Sequence, residues 1–432
     1  MRCCHLDNKE NIIAYIFISF LVASFSIILL FKNKWLAILI VSCFFIFVFL
    51  KSNIRILIIS IIFFIISITN NIFYYNLNIS RNENARVLKV YSYGALGKIN
   101  NRKVYLSGNF NNIKVGDILN INGNFNKEIS IEKGIIGNFE VESYSILDKD
   151  FNTNILNFRE YVFNSISEKI GKRRASIITS MAFGYDEYLE NEDEEDMKSL
   201  GILHAISVSG LHMALIYSLL NKLLGNKISP FIALLYVIFT GSESSTLRSY
   251  IMMLILNFSV PLRRNYNPIG GISLAGVILI LLKPYSVFEV GFQLSFLATL
   301  GIIIFNKSVN KFFYKLPKFL RESLSITIAA QVFTFPFLIL YFREFSIGFI
   351  LGNLILIPFI NIVVILGNLL ALTVKFKFIF NYLIFISYYL TLFIDILTSK
   401  LLIILPNIIY INEIIAVFYM ISFIVIYFYI NG

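Results

Sequence analysis

Histidine and cysteine are scarce, and their scarcity limits the chemistry open to this chain. There are three of each in 432 residues. Cys3, Cys4 and Cys43 supply no disulfide framework, and none stands at zinc-ligand spacing from His5, His204 or His212. His204 and His212 are eight positions apart, ~80° around a helix, and the HExxH spacing that brings two ligands and a base together is absent. No metal and no cofactor is expected. Charge is thin as well: 15% of residues are Asp, Glu, Lys or Arg, where a soluble domain carries about 25%. That excludes an ordinary soluble surface.

In place of charge the chain has long apolar runs. Hydrophobic residues make up 57% of the sequence. Ile12 to Phe31, Trp35 to Leu50 and Ile54 to Tyr75 are near-continuous Ile, Leu, Phe and Val. Each is long enough to cross ~30 Å of hydrocarbon at 1.5 Å per residue. Inside lipid the backbone must satisfy its own hydrogen bonds, so these runs are read as helices despite their β-branched content. The first run is too long for a signal-peptide core and has no small-x-small cleavage site before Lys32, so retention in the plasma membrane is expected. The net charge of +11 is explained by basic loops between spans before nucleic acid need be invoked.

The pattern changes along the chain. Residues 1–77 read as three transmembrane helices with short basic turns. Residues 78–150 alternate apolar and polar residues over short runs (Arg86 to Val90, Arg102 to Ser107, Asp117 to Gly123, Asn138 to Tyr144), punctuated by Gly, Asn and Asp. This predicts half-buried strands and a small β-barrel, of which the OB type is one member. Residues 151–200 predict an amphipathic helix ending in Lys172, Arg173 and Arg174, then an acidic connector from Asp186 to Asp196 read as a solvated helix face. Residues 201–432 hold further apolar segments, several short or broken, notably 228–240 and the stretch containing Gly352, Asn353, Pro358 and Gly367. The fold class is therefore a polytopic α-helical membrane protein of about twelve transmembrane helices with one inserted, extracytoplasmic OB-like barrel. With the N-terminus inside and every segment spanning, roughly fifteen loop cations fall inside against five outside. That orientation puts the barrel outside the cell.

Ionisable and polar groups at membrane depth are functional candidates because lipid penalises them. They are His204, Ser207, Ser209, Gly210 and His212 in "GILHAISVSGLHMAL", Arg248, Glu289 and Gln293, Gln331, Asn353 and Asp395. The competing reading for the histidines is interhelical hydrogen bonding. Arg248 either pairs with Glu289 or snorkels to the headgroups. Gly210 serves close packing as readily as a polar path.

These residues carry a family resemblance. "GILHAISVSGLHMALI" (Gly201 to Ile216), "STLRSYIMML" (Ser245 to Leu254), "RRNYNP" (Arg263 to Pro268), "KPYSVFEVGFQLSFLATLGI" (Lys283 to Ile302) and "AAQVFTFPFLILYFREFSIGFILGNLILIPFI" (Ala329 to Ile360) resemble, in order, the motif blocks of the ComEC family of competence DNA channels. That family has N-terminal helices and an external OB-type barrel before its channel bundle. The resemblance implies an inner-membrane channel passing single-stranded DNA, with a DNA receptor, a separate nuclease and a cytoplasmic ATPase or helicase as partners beside membrane lipid. It implies channel lining by His204, Ser207, Ser209, His212, Arg248, Gln293 and Gln331. On the barrel, Arg86, Lys89, Arg102 and Lys103, with stacking from Tyr91, Tyr93 and Tyr105, are expected to hold the strand. Many family members add a metallo-β-lactamase-like domain. This sequence ends at Gly432 with no HxHxDH cluster, so a short, non-enzymatic form is expected. The alternative is a secondary transporter or flippase of another anionic solute, with coupling near Asp395 or Glu289. A membrane-embedded hydrolase lacks a carboxylate beside Ser207, Ser209 and His212.

Overall fold

The computed structural model describes residues 12–110, 113–147, 150–206, 208–259, 266–405 and 408–431. Three apolar helices open the chain: α1 (Ile12–Lys32), α2 (Lys34–Lys51) and α3 (Ile54–Tyr75). Asn33 caps α2, its side chain accepting from the Trp35 and Leu36 amides, which satisfies orphan donors at the helix start. Five strands follow: β1 (Asn82–Tyr91), β2 (Gly94–Ile99), β3 (Arg102–Ser107), β4 (Ile118–Asn126) and β5 (Ile135–Ile146). Then come α4 (Phe151–Ile170), α5 (Lys172–Phe183), α6 (Asn191–Ser199), α7 (Gly210–Phe239), α8 (Ser244–Ser259), α9 (Pro268–Leu282), α10 (Val290–Phe312) and α11 (Lys318–Phe342). A two-residue strand β6 (Glu344–Phe345), α12 (Phe349–Ile355), α13 (Ile357–Thr373), α14 (Lys377–Ile404), β7 (Ile409–Tyr410) and α15 (Glu413–Asn431) complete it.

The strands close into a barrel of order β1-β2-β3-β5-β4, antiparallel throughout except for the β3–β5 pair. Closure leaves no open sheet edge, and a five-stranded barrel of this Greek-key kind is of OB type. The alternation in sequence is the cause. Ala85, Val87, Ala95, Ile99, Val104, Leu106, Leu119, Ile121, Ile136 and Phe139 all point inward and are buried. Strand β2 was not anticipated, because "GALGKI" is too rich in glycine to read as a strand. Gly97 is needed there: a Cβ would lie 2.7 Å from a Leu106 methyl.

The chain divides into two compact units, residues 1–158 with 266–293, and residues 159–265 with 294–432. In the first, α1, α3 and α9 pack together. Asn70 donates to the Ile280 carbonyl at 3.3 Å, and Tyr74, Tyr75 and Tyr285 extend the barrel core. Arg102 ties the barrel to α3. Its Nε donates to the Tyr74 carbonyl (2.7 Å) and its Nη2 to the Phe73 carbonyl (2.9 Å). A cation thus sits on the last carbonyls of a helix, where orphan acceptors and the macrodipole favour it.

In the second unit α5 is almost wholly buried, because Ala175, Ser176, Thr179, Ser180 and Ala182 let neighbours approach closely. Tyr236 and Asn368 both donate to the Ala182 carbonyl, at 2.9 and 3.1 Å. The amphipathic helix stops at Ile170. Gly171, at φ +87°, breaks it, and the basic triplet begins α5 instead. Non-helical Gly225 (φ 74°, ψ 170°) breaks α7 into two helical arms, one within the apolar segment 201–221 and its extension, the other carrying 228–239. α12 and α13 meet at a 51° bend.

Among the described residues seven helices are long and apolar enough to cross a membrane, or up to eight if the bent α12–α13 pair is one span. α8, with 16 residues, and α9, with 15, reach only ~24 Å. Length and composition therefore support fewer crossings than about twelve, and the chain is a multi-pass membrane protein.

Arg102→Ala is expected to remove the tie between α3 and the barrel and leave two helix-end carbonyls bare. A loss of ~2–4 kcal/mol is anticipated, read as a lowered melting temperature of the purified protein, with Val104→Ala in the same strand as the comparison for ordinary core loss.

Candidate functional site

The first candidate lies on the barrel. Tyr91 ends β1, Ser92 and Tyr93 form the β1–β2 turn, Lys103 and Tyr105 project from β3, and Glu132 and Lys133 sit in the β4–β5 loop. Together with Leu96, Ile135 and Glu289 they line a groove of about 630 Å³. This face, with these two loops, is where OB barrels hold oligonucleotides. Tyr93 is 87% exposed and Tyr91 44%. The Tyr91 and Tyr105 rings stand 6.3 Å apart with 31° between their planes, and Lys89 Nζ lies 5.8 Å from the Tyr91 ring. Exposed rings beside lysines can stack flat apolar faces and meet anions at the same time.

The four barrel cations proposed from sequence do different work. Lys89 is exposed beside the groove. Lys103 is inside it, bonded to Glu289 at 3.3 Å and lying 4.0 Å above the Tyr285 ring. Arg102 is 8% exposed and spent on α3, so it does not face a ligand. Arg86 pairs with Asp150 in a short contact. Asp150 in turn accepts from the Thr153 amide and hydroxyl, both at 2.9 Å, and so caps α4. Burial alone raises the Asp150 pKa, but hydrogen bonds from Arg86 and Thr153 outweigh it and hold it at about 2. Arg86 is a strut between β1 and α4. Lys133 was missed in sequence because a lone loop lysine carries no signal.

The second candidate lies at the start of α7. The Ser209 amide donates to His212 Nδ1 at 3.2 Å. This makes His212 the reciprocal half of a helix cap and puts the imidazole proton on Nε2. His212 is fully buried, and its Nε2 has no hydrogen-bond partner among the described residues. Arg248 on α8 is 7% exposed. Its Nε donates to Ser295 Oγ at 3.0 Å and its Nη1 to Thr299 Oγ1 at 2.6 Å, both on α10. Gly210 is small for a reason: an added Cβ would lie 2.9 Å from Arg248 Nη2 and 2.5 Å from Ser249 Oγ. Ser245 Oγ donates to the Val208 carbonyl at 3.1 Å. The serine-glycine motif is thus clamped against the arginine helix, and Arg248 is embedded rather than snorkelling. Ser295 and Thr299 were not singled out, although a polar i, i+4 pair on an apolar helix is a readable signal.

The other sequence candidates make contacts of their own. Glu289 and Gln293 belong to the first unit, where Gln293 donates to the Val287 carbonyl at 2.9 Å. Gln331 accepts from Thr334 at 2.7 Å, and Asn353 donates to the Phe349 carbonyl at 2.6 Å. His204 is exposed on a short 3-10 turn. Ser207 lies outside the described residues, as do Arg263 and Arg264. Among the described residues no group of His, Cys, Asp or Glu is placed to hold a metal ion.

Residues 181–432 match the family model described as Competence protein. ComE operon protein 3 of Bacillus subtilis (strain 168) is 24% identical over 228 residues, 51% of this chain and 29% of that protein. An uncharacterised protein of Mycoplasma genitalium is 28% identical over 131 residues, 29% of this chain and 34% of the relative. One of Aquifex aeolicus is 25% identical over 156 residues, 34% and 38% respectively. The matched stretch is under two fifths of each relative's own length. No solved structure matches.

Two outcomes follow from the geometry. Gly210→Ala is expected to lower stability by ~1–3 kcal/mol through overpacking, and adding Ser249→Ala, which removes the nearest clashing atom, recovers part of it in the same melting assay. The Asp150 pKa lies below its ordinary value, 3.8 falling to about 2. The stability it contributes is therefore fully present above its unfolded pKa and lost as pH falls through about 2. The melting difference between the wild type and Asp150→Asn should accordingly be full above that range and vanish at its acid end.

Proposed function

This chain belongs to the competence protein family, and on that premise we propose that it conducts single-stranded DNA across the plasma membrane. The observation that carries the reading is the barrel groove, in which Tyr91, Tyr93 and Tyr105 stand with Lys103 and Lys133. Every base has a π-face, so such a groove holds a single strand without reading its sequence. In our reading the barrel faces the outside and takes the strand first, with Lys103 and Lys133 lining the groove opposite Glu132 and Glu289 and exposed Lys89 beside it.

A strand crossing the bundle brings one negative charge per phosphate, which lipid cannot solvate. Arg248 is the group we assign to meet it. Its fork is held by Ser295 and Thr299, and a guanidinium offers bidentate donors suited to phosphate. The buried His212 Nε2, without a partner among the described residues, is a polar group that a wet path would satisfy. The role is that of a conduit. Degradation of the complementary strand and pulling from the cytoplasm are assigned to separate proteins, a nuclease and an ATPase or helicase, with a DNA receptor upstream.

The test has two arms. Detergent-solubilised full-length protein should bind a fluorescent oligothymidylate, and Tyr93→Ala should weaken it by ~1–3 kcal/mol, about 5- to 150-fold. Lys133→Ala should reduce the salt slope by ~0.7. In cells, Arg248→Ala should abolish entry of labelled duplex DNA while surface binding persists. Unchanged entry in a deletion strain that still takes up DNA would remove the channel reading and favour a transporter of another anion.

A further inference from the structure

The basic triplet, the acidic connector and Asp395 are far apart in sequence, yet they meet. Arg173 and Arg174 on α5, Asp193 and Asp196 on α6, and Asp395 and Thr398 on α14 surround a cavity of about 370 Å³. All lie in the second unit. One part of the cluster is internally closed. Asp193, expected on a solvated face, is buried, and both its oxygens accept from Arg173 Nε at 3.1 Å while Nη2 reaches Oδ1 at 2.7 Å. The Asp193 carboxylate is thereby taken up by Arg173, whose own side chain is 48% exposed.

The other part is open. Asp395 stands 3.9 Å from Arg173 Nη2 and 3.8 Å from Arg174 Nη2. Those are ion-pair distances too long for hydrogen bonds. Arg174 lies 4.7 Å above the Tyr388 ring, which fixes its guanidinium, while its Nε is buried without a partner. Thr398, 7% exposed on the cavity wall, has an Oγ1 without a partner. Burial raises the pKa of Asp196, the second free carboxylate on the wall. The cavity therefore offers unused donors, Arg174 Nε and the Thr398 hydroxyl, close to an unused acceptor, the Asp395 carboxylate. Buried polar groups of native proteins are normally satisfied. A zwitterion with an anionic acceptor and a cationic N–H donor matches both sets of groups.

Depth narrows the choice. α14 is a candidate span bounded by exposed Lys375 and Lys377 at one end and exposed Lys400 at the other. Asp395 lies about 7 Å along the axis from Lys400, at the level of lipid headgroups, where Lys and Arg anchor span ends. Ile177, Met197 and Leu402 give the cavity an apolar side. We propose that this cavity binds the headgroup of an aminophospholipid, its phosphate accepting from Arg174 Nε and Thr398 and its primary ammonium donating to Asp395. Charged pockets between membrane helices are an established way of holding headgroups. The assignment is independent of the DNA reading, since it uses none of the same residues.

The test uses full-length protein in detergent, titrated with short-chain lipids and followed by melting temperature and native mass spectrometry. Dihexanoyl phosphatidylethanolamine should stabilise it saturably, at concentrations about tenfold below those needed for the phosphatidylcholine analogue, whose quaternary nitrogen has no N–H to give Asp395. Dihexanoyl phosphatidylglycerol, with no cation, should resemble phosphatidylcholine. Asp395→Asn should erase the ethanolamine preference while leaving oligothymidylate binding unchanged, and Thr398→Val should weaken all phosphate-bearing ligands alike. Equal effects of the three lipids on the wild type would overturn the proposal without any variant having to fold. Binding of soluble phosphoethanolamine as tightly as the lipid would overturn it too, by showing a site for a free zwitterion.

Discussion

A charge taken out of water must be met by a partner, and most of this architecture answers that requirement. Where a carboxylate is near, the answer is an ion pair, as for Arg86 with Asp150 and Arg173 with Asp193. Elsewhere the partner is backbone. Arg102 ends on the carbonyls of Phe73 and Tyr74, and Arg159 donates to the carbonyl of Phe183. The same cation that would be costly when bare becomes the fastening between a helix end and its neighbour. The barrel is seated on α3, and α5 is stitched among its neighbours, by groups that a hydropathy profile would count as liabilities.

Arg102 and Arg86 are consumed by structure. Lys89 and Lys133 stand at a groove with exposed rings, in which Lys103 is paired with Glu289, and Arg248 donates to hydroxyls in the bundle. The Ser295 and Thr299 hydroxyls fix where the Arg248 guanidinium stands on the face of α10.

Composition and periodicity made the membrane class legible, because runs such as Ile54 to Tyr75 admit one reading. The barrel was legible in four of its strands through alternation and obscure in Gly94–Ile99, where glycine serves close packing instead of propensity. The ordered motif blocks were enough to suggest the family. What sequence did not reveal was which charge meets which. Arg173 and Asp395 lie far apart along the chain, and pairing is a property of three-dimensional neighbours. The solvated acidic face failed at Asp193 for that reason: a nine-residue helix with acids on every side must still turn one of them inward. Segment boundaries were less legible: the apolar run at 228–240 follows a kink at Gly225, and that at 269–282 forms a helix of 15 residues.

Tyr285 bears on how the molecule is made. It is 6% exposed, belongs to the barrel's own core cluster, and packs where a Cβ on Gly134 would stand. Yet the ribosome reaches it only after α4 to α9 have been synthesised, on the order of ten seconds after the last strand. For that interval the barrel exists with its closing residue unmade. Tyr74 and Tyr75, which precede the strands, donate to the Gly134 and Ile131 carbonyls at 3.0 Å. They hold the β4–β5 loop in advance, and Tyr285 later packs beside Tyr74, their rings 5.5 Å apart, over the same Gly134. The order of synthesis is thereby written into which tyrosines lie on which side of the barrel sequence.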